Sequence, residues 1–254
     1  MLKFNVVDAN YTLFYYYYCH EKGNENIYIT TETKMLLIKQ GGDSNAMVKI
    51  FHSFYRFSGN VYVIHSEKGT ILIDPGYYDT RIKKYLIGIG GLDAILLTHG
   101  HWDHICGLDS LKADFPEAPV YIFKDDIDFL TNSHLNCAET NGFRLILRSE
   151  AEAITEGELD IGDYHIQVIH TPGHTKGSAM YYFIDENLLF TGDTVLENVT
   201  GPTYRPTGSS QDMKDSVKRF KTLGYAGDTP LYPGHGSATT YEYVLNNNRD
   251  VKEP

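Results

Sequence analysis

Three shortages narrow this 254-residue chain before any motif is read. Cysteine is scarce: Cys19, Cys106 and Cys137 stand far apart and form no Cys-x-x-Cys pair. An odd, scattered set does not build a disulfide framework, so free thiols are expected. Long apolar runs are missing as well; nothing approaches the roughly 20 consecutive apolar residues that span a bilayer. The first residues, Met1 to Tyr18, carry Lys3, Asp8 and a run of tyrosines, without an apolar core or a small-residue cleavage site. They do not read as a signal peptide, so a cytoplasmic location and no membrane partner are expected. Positive charge is the third shortage. Lys and Arg number 22 against 33 Asp and Glu, a net charge of −11 at pH 7. No Lys/Arg cluster offsets that balance, and a phosphate backbone would be repelled. A small molecule is the expected substrate, and nucleic acid is not an expected partner.

What is present is a chain that is 42% hydrophobic, enough for a sizeable core. Two stretches differ in character. Residues 1–46 read as a β-rich extension, with strands expected at Tyr11–Cys19 and Asn26–Thr31, prolonged by Lys34–Lys39, before Gly41-Gly42-Asp43 breaks the pattern. This segment would form an added hairpin that covers a sheet edge or a partner chain, and a homodimer is one outcome. Residues 47–254 read as one domain. Val61–Ser66 and Thr70–Asp74 form a hairpin across Glu67-Lys68-Gly69. Helices are expected at Tyr78–Ile87, Leu108–Asp114, Asp125–Asn132, Gln211–Leu223 and Ala238–Leu245. Strands are expected at Ala94–Thr98, Val120–Phe123, Tyr164–His170, Ala179–Ile184, Asn187–Phe190 and Thr229–Tyr232. The acidic stretch Glu150–Asp160 reads as a solvated connection. Two β-rich halves that each end in helices suit an α/β fold of the αββα type, although periodicity alone does not fix the topology.

The chemistry is concentrated in Thr98-His99-Gly100-His101-Trp102-Asp103-His104. His99, His101, Asp103 and His104 lie within six positions, directly after an apolar strand. Alternate residues of an extended segment point the same way, so His99 and His101 can share one metal, while Asp103 and His104 on the following turn can reach another. Imidazole and carboxylate suit zinc, with iron or manganese as alternatives. Three more segments each place one such group in a Gly-containing turn after a strand: His174 in Pro172-Gly173-His174-Thr175, Asp193 in Thr191-Gly192-Asp193-Thr194, and His235 in Pro233-Gly234-His235-Gly236. His20, His52, His65, His134, His165 and His170 fall outside this pattern.

In that order, His-x-His-x-Asp-His, Gly-His-Thr, Gly-Asp-Thr and Gly-His-Gly resemble the metallo-β-lactamase superfamily from about Val48 onward. The resemblance implies its αββα sandwich and two divalent metal ions. It implies one ion on His99, His101 and His174, a second on Asp103, His104 and His235, and Asp193 bridging them. Asp74, in Leu72-Ile73-Asp74-Pro75-Gly76, is similar to the family's early supporting aspartate. Thr171–Leu223 looks most like the short glyoxalase II-type hydrolases, through Thr171-Pro172-Gly173-His174-Thr175-x-Gly177-Ser178 and Arg205-Pro206-x-Gly208-Ser209-Ser210.

That likeness implies hydrolysis of an acyl bond, a thioester first, with a metal-bridging hydroxide oriented by Asp103 and Asp193 as the catalytic carboxylates. Two departures point away from glutathione. About twenty residues follow His235, too few for the helical domain of glyoxalase II. Glu197-Asn198-Val199-Thr200-Gly201-Pro202 also replaces its Cys-Gly-Lys/Arg stretch. The ligand motif leaves rivals open: a mononuclear-iron persulfide dioxygenase, a phosphodiesterase or a lactonase of the same superfamily. A non-catalytic metal-binding protein is disfavoured because every ligand position is filled.

Overall fold

A computed structural model describes residues 46–52 and 59–252, together with the backbone of three leader strands, β1 (Lys3–Val7), β2 (Leu13–Glu21) and β3 (Asn24–Thr30). The leader strands form an antiparallel sheet of their own in the order β1-β2-β3. The expected strands at Tyr11–Cys19 and Asn26–Thr31 correspond to β2 and β3, β1 adds a third, and Lys34–Lys39 lies outside the described residues.

The sandwich itself is two six-stranded sheets. The first holds β4 (Met47–Phe51), β5 (Val61–Ser66), β6 (Gly69–Ile73), β7 (Ala94–Leu97), β8 (Val120–Phe123) and β9 (Glu152–Ile154), in chain order. The second holds β10 (Gly157–Ile161), β11 (Tyr164–His170), β12 (Ala179–Phe183), β13 (Leu188–Gly192), β14 (Pro230–Pro233) and β15 (Thr239–Thr240). Antiparallel hairpins open each sheet. The pairings β6–β7, β7–β8, β8–β9 and β13–β14 are parallel.

Strand alternation sorts side chains into layers. Along β5, Tyr62 and Ile64 face the other sheet, where Tyr181, Phe183, Phe190 and Tyr232 fill the centre. Val61 and Val63 face outward, under α1 (Thr80–Gly88) and α3 (Leu108–Asp114), whose Ile82, Leu86, Leu108 and Leu111 are fully buried. The outer face of the second sheet, including Ile169, Met180, Leu189 and Leu231, is covered by α4 (Ser210–Lys221), α5 (Tyr241–Asn247) and α6 (Arg249–Lys252). The αββα expectation is met. Each large apolar side chain buried this fully contributes about 1.5–3 kcal/mol.

Local chemistry sets the helix boundaries. The Asp79 carboxylate accepts from the Arg81 and Ile82 amides and starts α1, and the Ser209 hydroxyl accepts from the Asp212 amide and starts α4. The segment Asp125–Asn132, expected as an α-helix, is a 3-10 helix over Lys124–Thr131. The helix expected at Ala238–Leu245 starts at Tyr241, as α5, because Thr239–Thr240 first pairs with β14 and the Thr240 hydroxyl then caps it.

The reading of Glu150–Asp160 as a connection is corrected: it contains β9 and most of β10. These are edge strands, one on each sheet, and most of their side chains are exposed. Their acidic residues mask the strand signal while discouraging pairing with other chains.

Candidate metal centre

Five strand ends build the site along one edge of the sandwich. Asp74 follows β6, and His99 to His104 follow β7 through the one-turn helix α2 (Trp102–Ile105). His174 follows β11, Asp193 follows β13, and His235 follows β14. All seven predicted donors meet there. The donor atoms of His99, His101 and His174 lie within 4.8 Å of one another, as do those of Asp103, His104 and His235.

Finer distances fit shared ions. Donors about 2.0–2.1 Å from one zinc at tetrahedral angles stand about 3.3 Å apart. His104 Nε2 lies 3.3 Å from His235 Nε2, and His235 Nε2 lies 3.2 Å from Asp103 Oδ2. His101 Nδ1 and His174 Nε2 are 2.8 Å apart. Asp193 sits between the two triads, with Oδ2 3.4 Å from His174 Nε2 and 3.5 Å from His235 Nε2. Its Oδ1 is buried without a hydrogen-bond partner, and so is His99 Nε2. Orphaned buried acceptors are costly, and cations bound at the two triads would satisfy them.

The electrostatics point the same way. Burial, then the neighbouring imidazoles, hold His99 and His101 well below the usual histidine range, which keeps their lone pairs free. Burial also opposes charge on His104, yet Asp193 and Asp74 overcome it and raise that pKa to about 10. Asp193 also raises the pKa of His235 above the usual histidine range, and the Asp103 carboxylate, despite burial, is held well below its usual range by His235 and His104. The second triad thus accumulates positive charge on imidazole to balance its carboxylates, and a divalent ion held there would supply that charge instead.

Asp74 could be grouped with His99 and His104 as a third donor set. Its oxygens are already committed: Oδ1 accepts from the Thr98 amide at 2.7 Å, and Oδ2 takes the Thr98 hydroxyl at 2.6 Å and His104 Nδ1 at 2.9 Å. It therefore orients His104, whose Nε2 is left to face the second triad. His174 Nδ1 donates to the Pro202 carbonyl at 2.8 Å and is oriented similarly. Close approach explains two glycines. A Cβ at Gly234 would collide with Asp193 Oδ1, and Gly192 adopts φ +49° with Thr98 Oγ1 2.6 Å from where a Cβ would stand.

Sequence reasoning missed Asp126. It is fully buried on the 3-10 helix and ties the two halves together. Oδ2 accepts from the Gly100 amide at 2.9 Å and the Thr175 hydroxyl at 2.7 Å, and Oδ1 accepts from the Gly177 amide at 2.7 Å. The turn between His99 and His101 is thereby fixed to the turn after His174. Nothing in Asp125-Asp126-Ile127-Asp128 marks the middle acid as the buried one. Asn60 was missed too; its amide donates to the Pro233 and Gly236 carbonyls and braces the His235 turn. His65, His134, His165 and His170 join no donor set; His170 stacks on Phe123 at 4.1 Å, and His165 pairs with Asp160.

Fold and donor set define a metal-binding αββα sandwich protein. The family model described as the metallo-beta-lactamase superfamily matches residues 54–235, and the chain belongs to that superfamily. It is similar to the probable metallo-hydrolase YqgX of Bacillus subtilis (strain 168), at 32% identity over 184 residues, 71% of this chain and 86% of that one. It is similar to a hydroxyacylglutathione hydrolase of Francisella philomiragia subsp. philomiragia, at 30% identity over 178 residues, 68% of this chain and 61% of that one. Among solved structures it resembles BLEG-1, a B3 metallo-beta-lactamase, with a TM-score of 0.75 and 29% identity over 82% of this chain and all of that one. These relationships support a metal-dependent hydrolase. Among the described residues, no helix is long and apolar enough to cross a membrane.

Proposed function

We propose that the protein is a binuclear metal-dependent hydrolase that cleaves thioesters, with His99, His101 and His174 holding one ion, Asp103, His104 and His235 the other, and Asp193 shared between them. The observation that carries this reading is the position of Asp193, within 3.5 Å of a histidine from each triad. Divalent ions so held lower the pKa of bound water toward neutrality and polarise an acyl carbonyl. The chain supplies the rest. Burial keeps His99 and His101 neutral, and Asp74 fixes the His104 ring. The Asp103 and Asp193 carboxylates are acceptors that orient the attacking water's protons. A thiolate is a good leaving group, with a pKa near 8.5 for an ordinary thiol, so no dedicated acid is required. The donors are all nitrogen and carboxylate oxygen, which suits zinc and admits iron or manganese.

The likeness to BLEG-1 favours a second reading, hydrolysis of a β-lactam amide by the same centre. The amine leaving group of that reaction needs a proton, which the thioester reading does not. One experiment separates the readings: metal analysis of purified protein alongside rates on a panel of thioesters and β-lactams. About two zinc ions per chain and kcat/KM at least a hundredfold higher on thioesters are expected. A β-lactam preference would replace the thioester reading, and a single iron with oxygen uptake on persulfides would replace hydrolysis altogether.

A further inference from the structure

Beside the donor set lies a cavity of about 310 Å3 lined by Cys137, Thr140, Asn141, Tyr204, Arg205 and Pro206. Both walls hang from the centre. One begins at Pro202, whose carbonyl accepts from His174 Nδ1, and reaches Arg205 three residues later. The other holds Cys137, next to Asn136, whose carbonyl accepts the Trp102 amide directly after His101.

Arg205 is the feature the proposed centre does not use. Arg81, Arg219 and Arg249 are each paired with a carboxylate; among the described residues Arg144, Arg148 and Arg205 are not, and of these only Arg205 lines the cavity. Among the described residues no carboxylate pairs with Arg205, which instead lines the cavity together with Cys137 and stands 5.8 Å from the Tyr204 ring centroid. A half-buried guanidinium is a fork of N–H donors matched to a planar anion, and neither a thiol nor an aromatic face satisfies it. The other lining side chains are small, amide, hydroxyl or aromatic, and none of them is a carboxylate. The volume suits a compact group, and the overall charge of −11 disfavours a polyanion.

We propose that this cavity is a recognition subsite for a carboxylate on the substrate, held by Arg205 while the scissile carbonyl sits at the adjacent centre. The proposal rests on the reading of that centre as an acyl hydrolase and gives it a substrate class: small acyl compounds carrying one carboxylate beyond the reacting bond. That carboxylate belongs to either the acyl half or the thiol half of a thioester, and both meet the same guanidinium.

The test uses two matched pairs of thioesters with the metal-loaded protein. One pair carries a carboxylate or its amide on the acyl side, and the other carries them on the thiol side. In one pair the carboxylate is preferred at least tenfold in kcat/KM. Arg205→Gln reduces that preference to about twofold or less, and Arg205→Lys keeps part of it at unchanged metal content. The pair that responds identifies the half that enters the cavity. Binding of the corresponding non-hydrolysable thioethers by calorimetry separates the two hypotheses. Carboxylate binding lost in Arg205→Gln upholds the subsite even if no thioester is turned over, an outcome that removes only the thioester reading. Equal binding of carboxylate and amide, or a carboxylate preference that survives Arg205→Gln, overturns the subsite, the latter because the anion is then held by the metals.

Discussion

The two triads are built from similar side chains and placed in different surroundings. His99, His101 and His174 are all imidazoles, each at most 3% exposed, and burial keeps all three pKa values below the usual range. Asp103, His104 and His235 mix charge with imidazole; the His235 side chain is 31% exposed, and the pKa values of His104 and His235 are raised. The first triad is a dry, preorganised nitrogen pocket, and the second is a charge-balanced site open to solvent on one side. The lesson is that a neutral pocket must be held rigid by its surroundings, whereas a charged one is held by its own carboxylates. The second ion should therefore exchange more readily, and the first should depend more on the scaffold.

The largest effect should come from breaking the first triad. His101→Ala removes a buried imidazole of the proposed first site, whose place water fills poorly. Both bound metal and thioesterase activity should fall, the latter by at least about 10³-fold in kcat/KM, or about 4 kcal/mol of transition-state stabilisation. Elemental analysis and steady-state rates check it, and wild-type metal content in a folded His101→Ala protein would refute the assignment.

The comparison sharpens with His235→Ala. If the triads are separate sites, one ion stays. Affinity for the other should weaken by more than the roughly 10–100-fold typical of losing an outer partner of a ligand. Metal titration should show one tight and one weak site. Loss of both ions together would mean that the centre binds as a single unit and that the contrast drawn above is wrong.

The same contrast governs what was legible in the sequence. His99, His101, Asp103 and His104 announce themselves by spacing because one strand end and one helical turn carry them all. His174, Asp193 and His235 each come from a different loop, and each is an ordinary Gly-containing turn by itself; they became legible only as a set in the family's order. The strand at Val61–Ser66 was legible as a β-rich run although both of its faces are buried, and Tyr164–His170 shows a partial alternation of buried and exposed positions. The strands at Glu152–Ile154 and Gly157–Ile161 were not legible, because an edge strand needs no apolar face. Residues that act on ligands from a distance left least trace. Asp126 is one aspartate among three in Asp125–Asp128, and only the tertiary structure turns it inward. Cys137 and Arg205 are 68 positions apart in sequence, and only folding places them in one cavity.

Asp126 offers the finest test, because it touches no donor side chain of the first triad and acts only through the turns that carry them. Its two oxygens accept three hydrogen bonds, from Gly100, Thr175 and Gly177. In Asp126→Asn one oxygen becomes an amide NH2, and either orientation turns that group against a buried N–H. An unsatisfied buried donor costs about 1–3 kcal/mol. A loss of about 2 kcal/mol in urea unfolding is expected, with weakened binding at the first site and little change at the second. The pH dependence isolates the carboxylate. Burial pushes Asp126 up to about 6, against the hydrogen bonds that favour its charged form. Between the ordinary aspartate range and about pH 6, the folded protein therefore binds this proton more tightly than the unfolded chain. The contribution of the titrating group is fully present at low pH and is lost as pH climbs through about 6. The stability advantage of wild type over Asp126→Asn should accordingly be larger at pH 5 than at pH 7, with a slope of at most about 1.4 kcal/mol per pH unit. An advantage that grew with pH would show instead that the ionised carboxylate is the form the fold prefers. The Gly100 and Gly177 amides would then outweigh desolvation, and the tie between the two halves of the first triad would be an ionic one.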